Sequence, residues 1–270
     1  FKINKYARLS NNTSFYASSY DWIGAGDVED SFAYASRHAL ASFPLKNPDG
    51  TWTYGTPMIA GGYNIANGRH IIFGDGIDKN TKVRTDFSNT TQLTIKPVKQ
   101  LSIVGNYTYR LYQNRDTGRL YPMTYRRYPD SALESYSSGA GLNELTETVA
   151  TYVRQSANVF ATYEDTFADA HHFTLTAGMN AETYHRKSIS ASGQNISTPY
   201  LNDLNLIGTD ANGEVVSSVA GGATSNALLG FFARANYDYK GRYLLEVSGR
   251  YDGSSRFAPG HRWGFFPSAS

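Results

Sequence analysis

The sequence predicts an all-β chain: a segment of a large antiparallel transmembrane β-barrel, about eight strands of it, with short turns at one edge and long loops at the other. Three observations carry this. Apolar and polar side chains alternate with period two over stretches of ten residues and more. The connections between those stretches alternate between tight and long without exception. The 270 residues include 21 Tyr and 14 Phe, side chains that favour strands and water–apolar boundaries.

The elements follow in order. A tight link, "NK" at 4–5, precedes a weakly alternating stretch over roughly 6–17. A second weak stretch covers 82–96 and ends at "KPVKQ", a predicted turn at Pro97. From Gln100 to Tyr112 the odd positions read Leu101, Ile103, Gly105, Tyr107, Tyr109 and Leu111, against Ser102, Asn106, Thr108 and Arg110. A third weak stretch, 148–164, is joined by "DTFADAH" to one starting at His172. There Phe173, Leu175, Ala177, Met179 and Ala181 oppose Thr174, Thr176, Asn180 and Glu182. From Asn226 to Tyr239, Leu229, Phe231, Ala233, Ala235 and Tyr237 oppose Arg234, Asn236 and Asp238. Only "KG" separates this from 242–252, where Tyr243, Leu245, Val247, Gly249 and Tyr251 oppose Glu246, Ser248, Arg250 and Asp252. A last strand starts at Arg262, with Trp263 and Phe265 on the odd face. The long connections are 18–81, 115–146, 189–224 and the shorter 253–261.

Each strand therefore has two solvents. An odd face against lipid gains roughly 1.5–3 kcal/mol per large apolar side chain, while an even face against a wet lumen keeps Arg250 and Glu246 hydrated. A one-residue slip would put such charges into hydrocarbon at roughly 2–4 kcal/mol each. Tyr237, Tyr239 and Tyr243, beside the "KG" turn, mark an interfacial aromatic girdle. A soluble β-sandwich also alternates, but its strands run to about 5–6 residues, and its connections do not alternate in length this regularly.

Composition removes other classes. A net charge of +2 gives no polybasic case for nucleic acid, and the absence of cysteine excludes disulfides, thiolate metal sites and a Cys nucleophile. No apolar run reaches the length of a transmembrane helix, which leaves barrel strands of about 9–11 residues open. Phe1 opens without a start Met or signal peptide, and "RWGFFPSAS" stops inside what reads as a strand. The chain is accordingly expected to be an internal segment of something longer.

The run "LLGFFARANYDYKGRYLLEVSGRYDGSSRFAPGHRWGFFPSAS" resembles the signature region of the SusC/RagA-type TonB-dependent outer-membrane transporters. The matching pieces are Asn236-Tyr237, Arg242 to Leu245, Asp252 to Phe257 and Arg262 to Ser268. "KINKYARLSNNTSFYASS", "TIKPVKQLSIVGNYTYR" and "SISASGQNISTPYLNDLN" are similar more loosely to an early strand–turn–strand, a Lys-Pro hairpin and a Ser-Gly-Gln/Glu-Asn loop of that family. The resemblance implies a barrel domain of 22 strands with residues 1–270 as part of its wall; the plug, the TonB box and the C-terminal strands would lie elsewhere. It implies active import of oligosaccharides or peptides in the outer membrane of a Gram-negative bacterium. The implied partners are a SusD-like lipoprotein, the TonB–ExbB–ExbD complex and outer-membrane lipid. A passive porin and a surface adhesin or structural β-protein are the alternatives.

Candidate ligand contacts lie in the long loops. "DVEDSFAYASRHAL" places Phe32, Ala35 and Ala39 at near-helical spacing after a capping Asp27. A short helix there would line the lumen mouth with Tyr20, Trp22 and Arg37, or simply pack the loop. Trp52 and Tyr54 offer flat apolar faces to sugar rings or peptide side chains. Arg126 and Arg127 stand between tyrosines as an anion or partner contact, or as plain solvated loop. Asp252, Gly253, Ser254, Ser255, Arg256 and Phe257, with Arg262 and Trp263, are expected to be structural; an Asp252–Arg256 ion pair or backbone hydrogen bonds would fix that loop. Asp210, Asn212 and Glu214 supply only a fragment of a calcium loop, so no cofactor is expected and calcium is the one option left open. His171 and His172 read as polar residues at the turn edge. No Ser-His-Asp set or carboxylate pair suggests catalysis, so the chain is not expected to be an enzyme.

Overall fold

The structure is a computed structural model describing residues 1–23, 44–53, 55–56, 63–64, 79–136 and 143–270. Eight long strands form one antiparallel sheet in chain order: β1 (Ala7–Ile23), β4 (Lys79–Val98), β5 (Leu101–Leu120), β8 (Glu144–Phe167), β9 (His171–Gln194), β10 (Ser217–Tyr239), β11 (Tyr243–Ser254) and β12 (Trp263–Ala269). Two short hairpins sit in the loops: β2 (Gly55–Thr56) with β3 (Tyr63–Asn64), and β6 (Met123–Tyr125) with β7 (Glu134–Tyr136). The strands overrun the alternating windows, mostly at their loop ends. The connections are correspondingly shorter than read: 24–78, 121–143, 195–216 and 255–262. The segment proposed as a helix after Asp27 lies outside the described residues.

Tight turns do lie at one edge. At "KG", Lys240 and Gly241 both adopt positive φ (55° and 67°). The Arg242 N–H donates to the Tyr239 carbonyl at 3.0 Å, closing a two-residue turn whose twist matches the strands. Ala168 and Asp169 do the same between β8 and β9, with φ of 51° and 50°. Ahead of β1, Asn4 Oδ1 accepts the N–H groups of Tyr6 and Ala7 at 2.8 and 2.9 Å, and Lys2 bridges Arg8. The turn predicted at Pro97 falls two residues later, at Lys99-Gln100. Pro97 occupies a one-residue bulge where the β4–β5 register shifts between Ile95 and Val98. Lacking an N–H, it fits where no ladder bond is needed.

The register gives the sheet its function. Apart from Val98↔Leu101 beyond the bulge, cross-strand partners pair odd with odd and even with even through all seven interfaces, as in Phe87↔Leu111↔Val153 or Asp86↔Tyr112↔Tyr152. Every odd residue of the continuous ladder thus lies on one face. From the turns to the far rim that face carries Leu93, Ile95, Ile103, Val159, Leu175, Met179, Phe231, Val247 and Phe265, and all of these except the half-buried Ile103 are exposed. Buried apolar side chains among the described residues are Tyr125, Leu145, Ala150 and Ile196, all toward the loop edge. A wall this wide with its apolar side chains uncovered by protein needs another apolar medium, and lipid supplies it.

Aromatic residues mark both rims of that band. At the turn edge, His171, Tyr239 and Tyr243 cluster, with His171–Tyr239 centroids 4.9 Å apart and Tyr239–Tyr243 6.3 Å. At the other rim Trp263 stacks on Tyr251 at 4.8 Å and near Phe231 at 6.2 Å. The level of Tyr243 and that of Gly253–Trp263 are separated along β11 by ten positions. Ten positions are about 33 Å of strand, or about 25 Å of height at the usual tilt, which is the thickness of a barrel's apolar band. Trp263 packs flat on Gly253, where a Cβ would stand 2.8 Å from the indole.

Weak alternation in β1 and β4 has a specific cause. Asn11, Thr13, Asn89 and Thr91 occupy the odd face and bond one another. Asn11 Nδ2 donates to Asn89 Oδ1 (3.2 Å) and Thr91 Oγ1 (2.7 Å), while Asn89 Nδ2 donates to Asn11 Oδ1 (3.1 Å) and Thr13 Oγ1 (2.6 Å). Thr13 and Thr91 donate back to Asn11 and Asn89 at 3.0 and 3.2 Å. Every donor in the ring is satisfied internally, which makes it tolerable in hydrocarbon.

Candidate functional site

The even face is the chemically active one. Most of its charges stand in cross-strand or same-strand pairs: Arg110 Nε to Asp86 Oδ1 at 2.9 Å, Arg154–Glu182 at 3.2 Å, Lys82–Asp116 at 3.3 Å, and Arg250 bidentate on Asp252 at 2.9 and 3.1 Å. Arg234 pairs with Glu246 across β10 and β11. Hydroxyl and amide pairs fill the rows between, including Thr90–Thr108 (2.8 Å), Asn106–Asn158 (2.8 Å) and Thr162–Thr176 (3.1 Å). Such a lining is solvated and close to neutral.

Toward the loop edge the even face turns aromatic. Tyr112, Tyr152 and Tyr184, on three adjacent strands, form a ridge with centroids 5.4 and 6.4 Å apart and planes tilted by 46° and 43°. The Arg186 guanidinium lies 5.7 Å from the Tyr152 ring, and its Nε donates to the Tyr152 hydroxyl at 3.4 Å. None of these tyrosines was singled out from sequence. Their parity was the available signal, since an aromatic on the polar face of a strand has no lipid to meet.

Of the residues singled out from sequence, Tyr20 and Trp22 fall on the even face at the mouth, stacked at 5.5 Å and 20°. Arg37 and Tyr54 lie outside the described residues. Trp52 sits under Lys46, whose Nζ is 4.0 Å from the ring centroid, and its carbonyl accepts the Arg126 N–H at 2.8 Å. Segment 44–53 is thereby docked on β6.

Arg126 and Arg127 are engaged within the loops. Arg126 reaches Asp49 at 3.4 Å and the Ser131 carbonyl. Arg127 grips Glu134 with Nε–Oε1 at 2.7 Å and Nη2–Oε2 at 3.0 Å, and the Tyr125 hydroxyl donates to the same carboxylate at 2.7 Å. Arg127, then Tyr125, hold the Glu134 carboxyl below its ordinary range, and Glu134 raises Arg127 further. Burial, with Glu134 adding to it, pushes the Tyr125 phenol up to about 12. This clasp closes the β6–β7 hairpin.

The motif loop is fixed by its backbone. Ser255 N–H donates to the Ala227 carbonyl at 2.9 Å, Ser255 Oγ accepts the Ala227 N–H at 2.8 Å, and the Arg262 side chain donates to the Phe257 carbonyl at 3.1 Å. The ion pair expected between Asp252 and Arg256 is not formed; Arg250 holds Asp252 instead. Asp210 Oδ1 accepts the N–H groups of Asn212 and Glu214 at 2.8 and 2.9 Å, which keeps its carboxyl below the usual range. Among the described residues no three His, Asp or Glu side chains converge as a metal-ligand group. His171 and His172 do sit at the turn edge, bonded to the Tyr237 hydroxyl at 2.7 Å and the Thr166 hydroxyl at 3.1 Å.

A clamp joins the outer loops. Arg119, almost wholly buried, donates to Asn143 Oδ1 (2.7 Å) and to the carbonyls of Leu120 (2.9 Å), Glu144 (3.1 Å) and Thr198 (3.2 Å). Asn143 in turn donates to the Ile196 carbonyl at 2.8 Å.

Fold and faces together define a wall segment of a transmembrane β-barrel of the outer-membrane kind. No family model matches the chain. Among curated proteins, a TonB-dependent receptor of Formosa agariphila is 34% identical over 125 residues, covering 43% of this chain and 11% of the relative. TonB-dependent receptor SusC of Bacteroides thetaiotaomicron is 52% identical over 46 residues, covering 17% of this chain and 5% of the relative. Among solved structures, the RagAB peptide importer in its open-open state superposes with a TM-score of 0.74 at 19% identity, covering 99% of this chain and 28% of that one. In sequence and fold the chain is similar to a segment of TonB-dependent receptors of the SusC/RagA type. It spans little more than a quarter of that solved chain, and its relatives are receptors and transporters.

Proposed function

We propose that this segment forms part of the barrel of an active nutrient importer in the outer membrane of a Gram-negative bacterium. The importer takes up oligosaccharides or peptides with a SusD-like surface lipoprotein and is energised through TonB–ExbB–ExbD. The observation that carries the reading is the two-faced wall: an apolar band about 25 Å high outside and a charge-paired, hydroxyl-rich lining inside. Likeness to SusC and to the RagAB peptide importer supports the coupling to TonB and the lipoprotein partner. The wall's role is passive, since it holds a rigid, wet passage and carries the loops that meet cargo. Uptake by cells carrying the full-length receptor should stop when the proton gradient is collapsed. Uptake that continues unchanged would identify a diffusion porin instead. Growth that is indifferent to deletion on every oligosaccharide and peptide source would point to an adhesin.

A further inference from the structure

We infer that the aromatic ridge on the even face, with Arg84 and Arg186 at its two sides, is a subsite for an anionic sugar chain. The inference rests on the importer reading and narrows its cargo. The geometry is a row: Tyr16↔Asp86↔Tyr112↔Tyr152↔Arg186↔Thr224 are direct cross-strand partners, so they share one level of one face. One step toward the loops runs Ser18↔Arg84↔Asn114↔Ala150↔Ser188, and one step toward the turns Arg110↔Arg154↔Tyr184↔Asn226.

Charge decides the sign of the ligand. Arg110 is matched by Asp86 and Arg154 by Glu182. Arg84 and Arg186 have no carboxylate within ion-pair distance among the described residues, and Arg186 bonds only the Tyr152 hydroxyl. Arg84 on β4 and Arg186 on β9 are three strands apart, roughly 14 Å at about 4.8 Å per strand. Tyr112 and Tyr152 stand between them. Two free guanidinium groups flanking a tilted aromatic pair suit a chain whose rings lie on the tyrosines while its acid groups reach either side.

The surroundings favour sugar over peptide. The three rows contain no Leu, Ile, Val, Met or Phe on this face, so apolar peptide side chains find no pocket. β5, β8 and β9 are each paired on both sides, so no free edge is available to take a peptide backbone as an added strand. What remains is Ser18, Asn114, Ser188, Thr224 and Asn226, short hydroxyls and amides of the kind that hydrogen-bond a polyol.

The test is direct binding to the full-length receptor in detergent micelles by titration calorimetry. The probes are an oligogalacturonate, neutral maltoheptaose and hexaglutamate. Oligogalacturonate should bind best. Arg186→Gln and Arg84→Gln should each weaken it roughly tenfold, as loss of a charged hydrogen bond does, with maltoheptaose affected less than twofold. Tyr152→Ala should weaken both sugars. Gel mobility of unheated samples confirms that the variants remain folded barrels. Failure of oligogalacturonate to bind, equal or tighter binding of hexaglutamate, or an unaltered isotherm for Arg186→Gln overturns the subsite. Gradient-dependent uptake of some other cargo alongside any of those results would leave the importer reading standing.

Discussion

Replacing Leu175 by Arg, with Thr174→Arg as its neighbour and control, tests the sidedness of the wall. Leu175 lies on the odd face between Tyr163 and Ala235. It stands four positions along β9 from His171, which pairs with Tyr239 in the lower aromatic rim. Four positions are about 13 Å of strand and about 10 Å of height in an apolar band of about 25 Å. A guanidinium there is close to the midplane, at a cost of roughly 2–3 kcal/mol, or about 30- to 150-fold in the unfolding equilibrium. Thr174 faces the other way, between Glu164 and Asn236; an Arg there finds water and a carboxylate, and should change stability by less than about 0.5 kcal/mol. Urea unfolding of the full-length receptor in lipid vesicles, followed by tryptophan fluorescence, measures both. Equal costs, or a larger cost at Thr174, would refute the assignment of faces.

Other perturbations follow from the same geometry. Asn89→Ala should cost about 1–3 kcal/mol by leaving one Asn11 N–H and the Thr91 hydroxyl without acceptors in lipid, measured by the same unfolding assay. Gly253→Leu should displace Trp263 from its stack on Tyr251 and blue-shift or quench less of the emission than wild type; an unchanged spectrum would show that the indole is held elsewhere. Arg119→Met should free the 195–216 loop, read as faster hydrogen exchange there, because four hydrogen bonds to three segments are lost together. The Glu134 clasp has a defined pH sense. Its carboxyl is lowered from an ordinary 4.5, so its contribution is complete above that value and is lost as pH falls through the depressed one. Proteolysis within 121–136 should therefore rise in strong acid, and Glu134→Gln should show the acid pattern already at neutral pH.

Period-two alternation made all eight long strands legible, because lipid on one side and water on the other impose a rule on nearly every residue. Beyond the bilayer that rule lapses. Lys187 and Thr151 pair on the odd face near the loops, and strands such as β8 and β9 continue there without an apolar stripe to announce them. β1 and β4 were faint for the opposite reason: the Asn–Thr ring puts polar groups on the lipid side and silences them through one another. Pro97 looked like a turn because proline so often is one, whereas a bulge accommodates it equally well. Loop chemistry was least visible. Whether Arg126 and Arg127 were free depended on Asp49 and Glu134, the first of them 77 positions away, and no local pattern encodes such a meeting. The tyrosine ridge was visible in principle, as three rings on the wrong parity.

That unbroken odd-with-odd register constrains how such a sequence can change in length. One codon added in the middle of β8 would turn every later side chain of that strand inside out, hydrocarbon for water, while two codons would restore the order beyond them. Tolerated insertions should therefore come in even numbers within the staves, or in any number among the loops. The lone exception, the extra residue at Pro97, sits beside a hairpin, where only Val98 remains in the strand to be inverted.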